Sequence, residues 1–156
     1  MTAPVRQRVT SMSRLRTLRR FATLVGIAGC GGGAANTVEA DPTLPPSWDA
    51  LATLPSATGS WQVAVWTWPQ PAIKGSDDVV LRITDPDGLP AENLALEVVP
   101  WMPAHAHGTS PAVVTPVGDG YYLVKPVYLY MSGQWQLRTT IGGLAGDSVV
   151  PVVEVP

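Results

Sequence analysis

From Trp61 to the end of the chain no stretch carries the 3.6-residue apolar stripe of a helix. The runs are short, alternate apolar with polar, and are cut by turn signals. In residues 79–84, Val79, Leu81 and Ile83 share one face, while Val80, Arg82 and Thr84 share the other. In residues 94–99, Leu94, Leu96 and Val98 oppose Ala95, Glu97 and Val99. The cuts are chemically explicit. Asp85-Pro86-Asp87-Gly88 has a proline that presets φ and a glycine that accepts φ > 0, and Gly118-Asp119-Gly120, Ser132-Gly133 and Gly142-Gly143 follow. Runs over 61–68, 79–84, 94–99, 112–117, 121–130, 135–141 and 148–155 predict an all-β chain. The architecture that fits is an immunoglobulin-like antiparallel β-sandwich of about seven strands. Pro126 marks an edge or a bulge within its strand, and Pro151 marks the last strand as an edge.

Composition supports this and limits what holds the fold. The 156 residues include 15 glycines and 16 prolines, a density that suits many short strands joined by turns. One cysteine excludes an internal disulfide, so cohesion must come from an apolar core, for which 46% hydrophobic residues suffice.

Charge is strongly asymmetric. Six of the ten basic residues (Arg6, Arg8, Arg14, Arg16, Arg19, Arg20) precede residue 21, and all twelve acids follow residue 38. The arginine-rich start leads into Phe21-Ala22-Thr23-Leu24-Val25-Gly26-Ile27-Ala28-Gly29 and then Cys30. That apolar run is far short of the roughly 20 residues a bilayer-spanning helix needs, and it has the form of a signal-peptide core. Ile27-Ala28-Gly29-Cys30 resembles the bacterial lipobox: an aliphatic residue, two small ones, then the cysteine that receives the lipid. Residues 1–29 are therefore expected to be a signal peptide, with the chain anchored to a membrane by lipid on Cys30. A thioether there also accounts for a lone cysteine in an oxidising compartment. Arg19-Arg20-Phe21 fits a twin-arginine signal poorly, and the general secretory route is expected. Gly31 after the cysteine, in place of aspartate, points to the outer membrane facing the periplasm if the envelope is Gram-negative.

Beyond the leader, Lys74, Arg82, Lys125 and Arg138 stand against twelve acids, a net −8. Such a surface excludes nucleic acid as a partner, because a phosphate backbone needs a basic face. Residues 30–60 begin Gly31-Gly32-Gly33-Ala34-Ala35 and carry Pro42, Pro45, Pro46 and Pro55, the composition of a partly extended tether. Residues 61–156 form the expected domain.

Chemistry concentrates in Trp101-Met102-Pro103-Ala104-His105-Ala106-His107-Gly108, which holds both histidines and one of the two methionines that follow Cys30. The other, Met131, ends a later strand. In an extended segment His105 and His107 would project to one side. Thioether and imidazole together are the soft-to-borderline set that suits Cu(I). The competing reading has solvated histidines, with Met102 and Met131 filling the core. Catalysis is not expected. Ser110 lacks a nucleophile elbow, Asp77-Asp78 and Asp85-Pro86-Asp87-Gly88 match no calcium loop, and no paired general acid and base is present. Trp61, Trp66 and Trp68 could line a carbohydrate face, but alternation assigns at least part of the set to the core.

The order of these motifs resembles the YtkA-like domain family, related to the periplasmic part of FixH proteins. The resemblance rests on the turn at 84–90, the 101–108 run, Gly118-Asp119-Gly120-Tyr121-Tyr122, and Tyr130-Met131-Ser132-Gly133-Gln134-Trp135-Gln136-Leu137. It implies a small, membrane-tethered β-sandwich near copper-handling and cytochrome oxidase systems. The family's Met-Pro…His-Gly element falls on Met102, Pro103, His107 and Gly108, and its Met-x-Gly-x-Trp element on Met131, Gly133 and Trp135. His105 stands where many relatives have methionine, which keeps a copper-compatible donor. The expectation is an envelope protein that binds or delivers copper through Met102, His105, His107 and Met131, with a copper-handling or oxidase-assembly protein as partner. The lack of a transmembrane helix sets it apart from FixH. A metal-free structural or interaction module is the alternative.

Overall fold

The computed structural model describes residues 44, 46–142 and 146–156. The leader, Cys30 and about half of the expected tether lie outside the described residues. Ten strands are present among them: β1 Ala52–Pro55, β2 Gln62–Trp68, β3 Gly75–Thr84, β4 Leu96–Met102, β5 His107–Gly108, β6 Val113–Gly118, β7 Tyr121–Leu129, β8 Gly133–Ile141, β9 Asp147–Val149 and β10 Val152–Val155. All pair antiparallel, in one sheet ordered β1-β2-β3-β7-β6 and another ordered β10-β8-β4-β5, with β9 also on β8. The chain crosses between sheets after β3, β5 and β7. The order β2-β3-β7-β6 against β10-β8-β4 is that of immunoglobulin strands ABED against GFC.

The seven sequence runs are all present. The additional strands have local causes. β1 lies inside the stretch expected as tether, where Ala52 pairs with Val65 and Pro55 with Gln62. β5 has only two residues, too few to show alternation. The last run splits because Pro151 breaks it into β9 and β10, while the Pro151 carbonyl accepts from Leu137 N at 2.8 Å. Pro126 takes the bulge rather than the edge. β7 is internal, and Lys125 with Pro126 faces the single residue Asp78 between the pairs Asp77–Val127 and Val79–Val124.

Alternation builds the core. Val63 and Val65, then Val79, Leu81 and Ile83, project from one sheet onto Val98, Trp135, Leu137 and Val153 of the other, all essentially inaccessible to water. Each such side chain contributes roughly 1.5–3 kcal/mol by leaving water. Tyr122 extends this core to the crossover after β3. Its buried hydroxyl donates to Ala91 O (2.8 Å) and accepts from Leu94 N (3.0 Å). The β1–β2 turn is tied to the opposite sheet by Asp147, whose carboxylate accepts from Thr58 N at 2.9 Å and Ser148 N at 2.8 Å. Burial alone would raise its pKa. Hydrogen bonds from Ser56, Thr58 and the two backbone amides outweigh that and hold the carboxyl well below the usual carboxylate range.

Val80 departs from simple alternation: it points to the outer face of its sheet yet is buried. With Trp66 and Leu123 it forms a second apolar cluster, covered by Leu44, Trp48 and Ala50 from the segment before β1. Trp66 Nε1 donates to Trp48 O (3.0 Å), and Trp48 Nε1 donates to Gln70 Oε1 (3.2 Å). Leu44 sits beside Val117, Asp119 and Tyr121, so this strap climbs the outer face from the β6–β7 turn to the β2–β3 turn.

Among the described residues, Asp77 is the one deeply buried carboxyl without full satisfaction. It is 1% exposed, its Oδ1 accepts only from Ile73 N at 3.3 Å, and its Oδ2 has no partner. Burial pushes its pKa from 3.8 to about 6, with Asp78 adding to the rise and the Ile73 amide opposing it. On the same inner face, Thr67 Oγ1 is buried and also lacks a partner.

Candidate functional site

The Met/His residues gather at one end of the sandwich. β4 ends at Met102, and the chain reverses through a single 3₁₀ turn, Pro103–His105. Pro103 occupies the first turn, where its missing N–H costs nothing. Ala106 then adopts φ 51°, ψ 36°, donating its N–H to Pro103 O (3.2 Å). That left-handed residue returns the chain as β5, so His107 pairs with Met102 and Gly108 with Trp101. A side chain at Gly108 could not be tolerated: a Cβ would lie 2.6 Å from Pro100 O and 3.1 Å from the Trp101 ring.

This geometry replaces the extended segment expected for the histidine pair. His105 ends the turn and His107 begins the strand, yet their ring centroids are 5.9 Å apart, and both side chains are exposed. An imidazole nitrogen binds a metal at about 2.0–2.1 Å and the ring centroid lies about 1 Å beyond, so two imidazoles sharing an ion have centroids up to about 6 Å apart. At 5.9 Å the pair lies just inside that limit.

Met102 is 2% exposed and belongs to the main core cluster. As the cross-strand partner of His107 it lies on the same face of its sheet. Its terminal methyl reaches β8, where a Cβ at Gly133 would be 3.0 Å away. Gly133, at φ +117°, both permits the turn into β8 and leaves room for the thioether. Met131 is half-buried and packs against the same core cluster. Its backbone carbonyl accepts from Trp135 Nε1 at 2.9 Å. The Trp135 ring in turn meets the His107 ring edge-on, with centroids 6.2 Å apart at 75°. Met102, His107 and the Met131 backbone are thus linked through β8, while His105 is linked through His107.

Both competing readings leave a mark: the thioethers are packed in or against the core, and the imidazoles are exposed to water. Among the described residues no group of three His, Cys, Asp or Glu side chains could hold a metal ion. Any metal here would depend on sulfur, a donor set that fits Cu(I) and disfavours hard cations. In the sequence, Gly133 read as a turn residue and Trp135 as the start of a strand, and both were tied to the site only by the Met-x-Gly-x-Trp element. Their contacts with His107 and Met102 cross between strands that are distant in the chain.

Next to this loop, Thr109 Oγ1 donates to Tyr128 O (3.3 Å), and the exposed rings of Tyr128 and Tyr130 stack with centroids 5.4 Å apart at 13°. Elsewhere, a cleft of about 460 Å³ opens between Trp48, Trp68, Pro69 and Gln70 on the outer face. The three-indole platform considered for a carbohydrate is not assembled. Trp66 is buried under the strap, Trp61 packs against the core, and only Trp68 borders the cleft.

Compared with known proteins, residues 56–140 match a family model described as YtkA-like, a span that includes Met102, His105, His107, Met131 and Trp135. No curated protein and no solved structure matches the chain.

Proposed function

The chain belongs to the YtkA-like family, and on that premise we propose that it is a non-catalytic envelope domain that binds or delivers copper, held to a membrane by lipid on Cys30. The ion is Cu(I), with Met102, His105, His107 and Met131 as its donors. A copper-handling or oxidase-assembly protein is the exchange partner, and the site is the outer membrane facing the periplasm if the cell is Gram-negative. The observation that carries this reading is the cross-strand pairing of His107 with Met102, beside a second imidazole at 5.9 Å. Neutral thioether and imidazole donors suit a monovalent soft ion, which needs little charge compensation. The exposed imidazoles offer a route in, and the buried thioether supplies a donor shielded from water. The net −8 beyond the leader raises the local concentration of cations without placing a carboxylate among these donors.

Titrating the purified protein with Cu(I) against a competing chelator tests the reading. One ion per chain is expected, with His107→Ala and Met131→Ala each weakening binding at least tenfold. Failure to compete for either Cu(I) or Cu(II) refutes it. The exposed Tyr128–Tyr130 stack favours a second reading, a metal-free interaction module, since rigid tyrosines are common anchors of protein contacts. That reading takes precedence if the titration is blank.

A further inference from the structure

We propose that the β2–β3 connection, residues 69–74, is an acidity-set latch: it closes over Asp77 while that carboxyl is neutral and lifts when it ionises, freeing the strap it clasps. The proposal is independent of the copper reading. Three contacts hold the connection down. Ile73 N donates to Asp77 Oδ1 at 3.3 Å. Ala72, 2% exposed, belongs to the main core cluster, whereas Ile73 beside it is half exposed. Gln70 reaches the strap: its Oε1 accepts from Trp48 Nε1 at 3.2 Å and from Thr67 N at 3.4 Å, and its Nε2 donates to Asp49 O at 3.1 Å. One short segment therefore bonds to Asp77 near its end and fastens Trp48 and Asp49 near its start.

The polar groups at this end of β2 and β3 are poorly satisfied. Asp77 Oδ2 has no donor, and Thr67 Oγ1 on the neighbouring strand, equally buried, has no partner. A neutral carboxyl tolerates such a site, but a carboxylate there carries charge that neither water nor a donor meets. β3 lies between β2 and β7, and Val127 of β7 is the cross-strand partner of Asp77. The connection is thus the nearest cover that can move without breaking the sheet. Its own hold is slight: one methyl in the core and hydrogen bonds of 3.1 to 3.4 Å. Segments held this weakly open locally, without unfolding the rest. The titratable side chains on the surrounding elements are Lys74 in the connection, Asp78 on β3, Lys125 and Tyr128 on β7, and His107 on β5. Only Asp78 bears on Asp77, and it makes ionisation harder. β2 and the inner faces of β4, β8 and β10 contribute none.

With the connection closed, the Asp77 pKa is raised from 3.8 to about 6; once water reaches the carboxyl, it returns to the ordinary value. Closure is therefore favoured below both values. The opening constant climbs about tenfold per pH unit between them and then levels off, roughly a hundredfold in all. Amide and indole hydrogen exchange, divided by the intrinsic rate at each pH, reads this constant in the purified full chain. From about pH 3.5 to about pH 7 the Ile73 amide and the Trp48 indole are expected to open together, by roughly a hundredfold. The Leu94 amide, which donates to the Tyr122 hydroxyl at the other end of the sandwich, should not. Asp77→Asn should hold Ile73 and Trp48 at their acid level throughout. A flat wild-type Ile73, a Leu94 amide that opens in step, or a rise that survives in the variant would overturn the inference. So would an opening Ile73 with an unmoved Trp48, since the strap would then not depend on the connection. The wild-type profile decides the question even if the variant does not fold.

Discussion

Asp77→Asn should make the protein more stable at neutral pH, because the structure buries a carboxyl it only partly satisfies. Ionised Asp77 keeps one weak acceptor contact, to Ile73 N, and leaves Oδ2 without a donor. Its pKa is lifted from 3.8 to about 6 in the folded chain. Between those values the unfolded chain releases a proton that the folded chain retains, so stability falls as pH rises through this window and stays low above it. At 1.36 kcal/mol per tenfold shift in acidity, the rise corresponds to about 3 kcal/mol, an upper bound because local relaxation reduces it. Asparagine keeps the acceptor for Ile73 and does not ionise. Urea unfolding followed by tryptophan fluorescence should therefore show wild type and variant equal within about 0.5 kcal/mol near pH 3.5. At pH 8 the variant should be ahead by about 1–3 kcal/mol, a midpoint shift between about 0.3 and 3 M at ordinary urea m-values. Asp147 acts in the opposite sense: its lowered pKa contributes stability that is lost as pH falls through and below the carboxylate range. That contribution is common to both proteins and cancels in the difference. A wild-type-to-variant difference that stays flat from pH 3.5 to 8 would refute the reasoning, as would a variant less stable at pH 8.

Two further outcomes test the loop and the anchor. Gly108→Ala places a methyl 2.6 Å from Pro100 O, so β5 should separate from β4, with a loss of at least about 1 kcal/mol in chemical denaturation and weaker Cu(I) binding as His107 leaves its register; unchanged stability would contradict this. Cys30→Ala should abolish lipid labelling and leave uncut precursor, and normal membrane fractionation of an unchanged mass would rule out the lipoprotein reading.

Most strands were legible because one-sided burial imposes period two: Val79, Leu81 and Ile83 were legible as an inner row from spacing alone. What was not legible depends on partners distant in sequence. β1 carries four residues among prolines and becomes a strand only because β2 offers an edge. Val80 reads as a solvent residue until residues 44–50 are placed over it. Asp77 reads as a surface turn residue, since nothing local shows that the β2–β3 connection covers it. In the candidate site, the sequence brought His105 and His107 together by alternation, whereas the folded chain does so with a 3₁₀ turn and a left-handed Ala106. Chemical type and neighbourhood were readable there; backbone path was not.

The strap over the outer face gives the domain a direction. Leu44 lies by the β6–β7 turn, at the Arg82–Tyr121 end of the sheet, whereas β3 and β7 reach the Met/His end at Gly75 and Leu129. Eight residues of β7 separate these poles, roughly 26 Å at strand rise. By crossing that distance before β1 begins, the chain enters the domain at the pole opposite the histidine loop. Any restraint acting on the chain upstream of Leu44 therefore pulls from behind. The imidazoles and the Tyr128–Tyr130 stack are left facing forward, like a reading head carried at the far tip of an arm.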